Sequence, residues 1–183
     1  YFAGGCVRDQ EMRPPQDPRD YDIATNALPD QIQEVFTKKK TLAIGAAFGV
    51  ITLIGTRATG NIDIATFRED TAYSDGRHPD GVSFCNAEQD ALRRDFTING
   101  MFFDPIDEQV IDFVNGRADI VAKVIRAIGI PAERFNEDKL RILRAIRLAT
   151  TLKFTIHAET LAAVNQFAEN LQQVSRERIL VEL

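Results

Sequence analysis

The chain is short of positive charge. Over 183 residues, 22 Lys and Arg stand against 27 Asp and Glu, a net charge of -5. A protein that grips a long polyanion usually carries a basic surface, so this chain is not expected to hold long nucleic acid alone. A small nucleotide site with clustered arginines stays open. The chain also lacks any apolar run of about 18 residues, which excludes a membrane-spanning helix, and no signal-peptide pattern is read in it. It has two cysteines, Cys6 and Cys85, with neither metal-ligand spacing nor a disulfide framework, which fits a reduced, cytoplasmic setting. There is no internal repeat and no low-complexity tract. GxGxxG and the Walker A lysine motif are both missing, which excludes the common phosphate loops.

What is present is 44% hydrophobic, enough for a core. The opening "YFAGG" reads as the end of a strand and the closing "RERILVEL" as a helix cut mid-turn. The expectation is therefore a piece of a longer protein. Residues 1–130 mix short β-rich runs with short helices. Strands are predicted at Phe2–Ala3, Tyr21–Thr25, Thr41–Ile44, Gly49–Ile54, Ile62–Phe67 and Val110–Phe113. The Gly-punctuated "TRATGN" predicts an antiparallel hairpin between the fourth and fifth. Residues 69–88 are polar and Gly-rich and read as a long loop. From Pro131 the pattern becomes helical, with Leu140, Leu143, Ile146 and Leu148 placed near one face and Ser175 at the cap of a last helix.

Four constellations carry chemistry. In "GGCVRD", Gly4 and Gly5 let backbone N–H groups approach an anion, with Arg8 one turn on; a plain structural turn fits equally. In "RDYDIAT", Asp20 and Asp22 are two apart, the spacing that puts strand residues on one face. Asp63 in "NIDIATF" could join them. Three carboxylates without His or Cys suit Mg²⁺, which takes oxygen ligands and substrate phosphate; an exposed acidic pair is the plainer alternative. In "RRDFTING", Arg94 can pair with phosphate and Asp95 can accept from a ribose hydroxyl, or the two are a surface ion pair. In "EDKLRILRAIR", Asp138, Arg141, Arg144 and Arg147 repeat every three residues. That repeat also suits a solvated helix face whose first turn is complemented by Glu137 and Asp138.

Taken in order, these motifs resemble the bacterial-type (class II) tRNA CCA-nucleotidyltransferases and their poly(A) polymerase relatives, of the polymerase-β nucleotidyltransferase superfamily. The resemblance runs from Tyr1 to "SRERILVEL". It implies an α+β fold: a catalytic head with a mixed or antiparallel sheet over 1–130, then an all-helical neck over 131–183. The body and tail, which hold most of the tRNA in that family, would lie outside the chain. It further implies Mg²⁺ as cofactor, held by Asp20 and Asp22, with CTP and ATP as substrates and the tRNA 3′ end as partner. By the same resemblance, Asp63 completes the catalytic acids. Gly4, Gly5 and Arg8 bind triphosphate, and Arg94 and Asp95 lie near sugar and phosphate. Asp138 and Arg141 read the incoming base, and Arg144 and Arg147 make further nucleotide contacts.

Two departures stand out. The linker "QEMRPPQDPRDYD" is more polar and slightly longer than in relatives, which bears on how the first helix packs. "LAIGAAFGVITLIG" lacks the arginines and His found at that place in bacterial poly(A) polymerases. The loop at 69–88 is retained, where relatives that add only CC tend to shorten it. The alternatives are an A-adding specialist, a poly(A) polymerase, or a non-catalytic nucleotide-binding module.

Overall fold

A computed structural model describes residues 1–18, 20–57, 60–70 and 81–183, the side chains of Lys39 and Asp70 apart. In chain order the first part runs β1 (Phe2–Ala3), α1 (Gly5–Glu11), β2 (Asp22–Thr25), α2 (Pro29–Phe36), β3 (Thr41–Leu42), β4 (Val50–Leu53), β5 (Ile62–Thr66), β6 (Arg68–Asp70) and β7 (Val82–Phe84). Next come α3 (Ala87–Leu92), β8 (Phe102–Asp104), β9 (Gln109–Ile111), α4 (Gly116–Ala122) and β10 (Val124–Ile125). The helical part holds α5 (Pro131–Glu137), α6 (Leu140–Leu152), β11 (Thr155–Ile156), α7 (Ala158–Phe167) and α8 (Arg176–Glu182).

Seven strands form one mixed sheet in the order β3-β4-β5-β2-β1-β8-β9. All its pairs are antiparallel except β2 with β5. This is the α+β head that the motifs imply. The parallel pair sets Asp22 opposite Asp63 and Ile23 opposite Ile64. Successive strand side chains point to opposite faces. Ile23 and Ile64 therefore meet Ile51 of β4 and Ile32 of α2 in a small core, and Asp22 and Asp63 fall on the other face. α2 can cover that apolar face because Pro29 starts it, where a missing N–H costs nothing.

The largest core is built from both parts of the chain. Cys6 and Val7 of α1, Phe96, Ile98 and Met101 pack in the same cluster as Phe135, Ile142, Ala145, Leu148, Ala163 and Val164. α1 is thus firmly packed despite its polar linker. β10 and β11 pair in parallel and tie the end of the first part to the middle of the helical part.

Several expectations need correction. The helical part is not purely helical, because "FTI" supplies β11, and α7 ends in a 3-10 stretch over Ala168–Gln173. The expected loop at 69–88 carries the antiparallel β6–β7 hairpin and the start of α3; its "YSDGRHP" stretch lies outside the described residues, as do Ala58 and Thr59 of the β4–β5 turn. On α6 the buried stripe is Ile142, Ala145 and Leu148, joined by Arg141, whereas Ile146 is 44% exposed. The face turned into the main core is rotated from the Leu140–Leu143–Ile146 edge and carries the short Ala145.

Candidate active site

The site begins at the junction of β1 and α1. Gly4 has φ 74, a left-handed conformation that glycine adopts without strain. Its N–H donates to the Met101 carbonyl at 3.2 Å, which fixes the start of α1 against the head of β8. A Cβ at Gly4 would stand 3.4 Å from Arg94 Nη1 and 4.0 Å from Asp22 Oδ2. The glycine thus lets a cation and an anion approach the same backbone corner.

From this corner opens a cleft of about 450 Å³. It is lined by Gly4, Gly5, Arg8, Asp22, Arg94 and Asp95 from one side and by Asp138, Arg141, Arg144 and Arg147 from the other. Ten of the twelve residues singled out in the sequence therefore share one cavity. Arg68, Arg93, Asn99 and Leu148 complete the lining, so seven arginines face three aspartates there. In a chain of net charge -5 this is a strong local concentration of positive charge. Low-dielectric walls focus such a field on an anionic ligand.

The two remaining residues lie at the acidic edge. Asp63 neighbours Asp22 across the parallel pair, and Thr52 Oγ1 donates to its Oδ1. Asp20 precedes β2 instead of lying on it, so the strand-alternation argument for Asp20 and Asp22 does not apply. The two still interact. The Asp22 carboxyl is raised above the ordinary carboxylate range, first by burial, then by Asp63, with Arg94 opposing and Asp20 adding to the rise. Among the described residues, no three His, Cys, Asp or Glu side chains stand close enough together to hold a metal ion. Asp20, Asp22 and Asp63 thus do not form a closed three-acid cluster. The donor set nevertheless fits a hard divalent cation. It consists of carboxylate oxygens whose mutual repulsion is already expressed at Asp22, and a cation would relieve it.

The arginines are held rather than loose. Arg8 donates to Asp9 and, through Nη1, to Asn99 Oδ1 at 2.8 Å. Arg94 donates twice to Asp90 Oδ2, at 3.1 and 2.9 Å, and its guanidinium carbon lies 4.9 Å from the Phe102 ring centroid. Arg141 is buried, donating to Glu137 at 2.6 Å and to the Arg134 carbonyl at 3.0 Å. Arg144 pairs with Asp95 at 2.9 Å and Arg147 with Glu182 at 2.9 Å. Asp95 first, then Glu182 and Asp138, raise the Arg144 guanidinium further above its usual range against the opposing effect of burial. Arg141, Arg144 and Arg147 of α6 are therefore engaged in ion pairs instead of forming a plain solvated face.

Asp138 does not belong to that helix. It ends α5 in an extended conformation, and its carboxylate accepts from the Leu140 N–H at 3.1 Å while Arg178 of α8 stands 3.5 Å away. Asp95 is likewise committed, accepting from the Phe96 N–H at 2.7 Å and pairing with Arg144. Sequence reasoning missed Asp90, Asn99, Arg178 and Glu182. The signal for Asp90 was its spacing of three and four from Arg93 and Arg94, which places all three on one side of a helical turn. The others act across long sequence separations that no local pattern reveals.

Comparison with known proteins gives a consistent result. The family described as "Poly A polymerase head domain" matches residues 1–126, and one described as "Probable RNA and SrmB- binding site of polymerase A" matches residues 153–183. A CCA-adding enzyme of Staphylococcus epidermidis is 41% identical over 184 residues, covering 100% of this chain and 44% of the relative. One from Levilactobacillus brevis is 44% identical, covering 100% and 45%. The chain thus spans less than half the length of these relatives. Among solved structures, the Bacillus stearothermophilus CCA-adding enzyme in complex with CTP superposes with a TM-score of 0.86 at 34% identity, covering 100% of this chain and 42% of that one. A tRNA nucleotidyltransferase complexed with a primer tRNA and an incoming ATP analogue gives 0.77 at 28% identity, covering 100% and 51%.

Proposed function

The chain belongs to the family described as the Poly A polymerase head domain, and from that premise we propose that it is the nucleotide-handling part of a Mg²⁺-dependent, template-independent nucleotidyltransferase. The enzyme adds C and A from CTP and ATP to the tRNA 3′ end and releases pyrophosphate. Residues 1–130 are the catalytic head and 131–183 the helical neck, packed through one core. The cleft carries this reading: it brings a glycine corner, an aspartate crowded by other acids and seven arginines around one volume. No described helix is long and apolar enough to cross a membrane, and Cys6 and Cys85 are both thiols; a cytoplasmic location is part of the proposal.

Arg8 and Arg94, beside Gly4 and Gly5, bind the triphosphate through charge-assisted hydrogen bonds. Asp20 and Asp22 would hold Mg²⁺, which when bound supplies charge neutralisation at the reacting phosphate. Asp63 accepts the proton of the attacking 3′-hydroxyl at Oδ2, the oxygen that Thr52 does not hold. That hydroxyl displaces pyrophosphate from the α-phosphate. Cytosine and adenine both present an amino donor beside a ring-nitrogen acceptor. Asp138 accepts from the first and Arg141 donates to the second. Uracil and guanine present a carbonyl beside a ring N–H, which leaves both protein groups unpaired. A site built for hydrogen bonds rejects such a mismatch strongly.

The test offers the intact enzyme three tRNAs, ending before CCA, after CC and after CCA, each with CTP or ATP alone. The expected products are C addition to the first, A addition to the second and nothing on the third. ATP incorporation on all three would make it a poly(A) polymerase, and ATP use on the CC-ended tRNA with no CTP use on any of the three an A-adding specialist. The double variant Asp138→Ala/Arg141→Ala is expected to lose about tenfold or more of its preference for CTP and ATP over UTP and GTP. Unchanged selectivity in single-turnover assays would remove base reading from this pair.

A further inference from the structure

Asp90 is the least exposed charged group near the cleft and does not line it. It is 1% exposed, the fourth residue of α3 after the Asn86 cap. Its carboxylate nevertheless collects five hydrogen bonds. Oδ1 accepts from Arg93 Nε and Nη2 at 3.0 and 2.8 Å and from the Arg68 backbone N–H at 3.2 Å. Oδ2 accepts from Arg94 Nε and Nη2 at 3.1 and 2.9 Å. Each oxygen thus takes one complete guanidinium edge, and both edges are used. All three donors belong to residues that line the cleft.

We propose that Asp90 is a positioning residue, a buried post that holds Arg93 and Arg94 in the one geometry that can receive the phosphates of a nucleoside triphosphate. Two adjacent arginines repel each other and, unheld, sample many rotamers. Fixing them from behind orients both guanidinium groups where they line the cleft. For Arg94, Nη1 is the nitrogen beside the Gly4 corner and the Asn99 carbonyl. Burial alone would push the Asp90 carboxyl up, but Arg94, then Arg93, outweigh it and hold it below the ordinary range. The post therefore stays charged. Its charge also opposes the ligand, since a carboxylate behind the arginines cancels part of their attraction for phosphate. A positioning role and a purely electrostatic one thus predict opposite signs when the charge is removed.

This inference rests on the reading of the cleft as a triphosphate site, and the experiment separates the two. Equilibrium binding of CTP and CMP is measured at fixed Mg²⁺ for the wild-type chain, Asp90→Asn and Asp90→Glu. Positioning predicts that both variants lose about tenfold in CTP affinity, the scale of one charge-assisted contact, while CMP changes by less than about twofold. Asp90→Glu keeps the charge, and so the core pairing, but displaces both arginines. It answers the question even if Asp90→Asn unfolds. Tighter CTP binding by Asp90→Asn, unchanged CTP binding by Asp90→Glu, or equal losses for CTP and CMP would each overturn the positioning role. A wild-type chain that does not prefer CTP to CMP would overturn the triphosphate reading, and this inference with it.

Discussion

At the scale of single residues, the site holds charges that the fold would be more stable without. Asp22 is the clearest case, since burial and the neighbouring Asp63 and Asp20 raise its carboxyl above the ordinary value of 3.8 against the pull of Arg94. A carboxyl raised on folding contributes stability below its unfolded value, and that contribution is lost as pH rises through the folded value. At neutral pH, with metal removed by EDTA, the ionised Asp22 is therefore a net cost. Asp22→Asn is expected to unfold at higher urea than the wild type at pH 7, with the gap closing toward pH 4, while nucleotidyl transfer is abolished. A gap of the same size at both pH values would show that crowding of negative charge is not its source, and retained transfer would remove Asp22 from catalysis. Asp90 is the converse. Its carboxyl is held below the ordinary range by Arg94 and Arg93, so its contribution is present at neutral pH and fades only as pH falls through that lowered value.

At the scale of elements, local patterns were legible and cross-chain packing was not. The strand pair that carries Asp22 and Asp63 was readable from β-branched runs around each acid, because strand alternation is a local property. The β4–β5 hairpin was readable from its glycine-marked turn. β8 was missed because "MFFDP" is too short to alternate visibly, and β11 because two residues of extended chain between helices leave no periodic trace. The α6 stripe was misread for a related reason. Large aliphatics outweigh one Ala in a sequence count, yet helix burial follows angle, and the face turned into the main core carries Ile142, Ala145 and Leu148, of which only Leu148 belonged to the expected stripe. The burial of Arg141 could not be seen either, since it depends on Glu137 and the Arg134 carbonyl bending back from α5. A paired comparison tests this rotation. Ile142→Ala is expected to cost about 2–5 kcal/mol, the usual range for a fully buried aliphatic. Ile146→Ala, half-exposed, is expected to cost under about 1 kcal/mol. Urea unfolding measures both, and equal costs would restore the stripe read from sequence.

At the scale of the whole molecule, the head and the helical neck share their largest core and also share their cleft. Val7 and Phe96 pack in one cluster with Ile142 and Val164, and the cleft takes Arg8 and Arg94 from one side and Arg144 and Arg147 from the other. Two consequences follow for unfolding. Removing the helical part would expose the buried faces of α1 and of Phe96–Met101, so the two parts should melt together in one calorimetric transition. A ligand bound between them stabilises that single transition as a unit. With CTP at a hundred times its dissociation constant, in the presence of Mg²⁺, linkage adds about 2.7 kcal/mol. For a chain of this size, about 2–4 °C per kcal/mol converts that to a rise in Tm of roughly 5–10 °C. On the proposed base reading, UTP at the same concentration should raise Tm less, because it would leave Asp138 and Arg141 without base partners. Two separate transitions, with CTP moving only one, would mean that the shared core does not couple the parts and that the nucleotide is held by one of them alone. A CTP shift matched by UTP would instead keep the coupling and remove base recognition from α6 and its junction with α5.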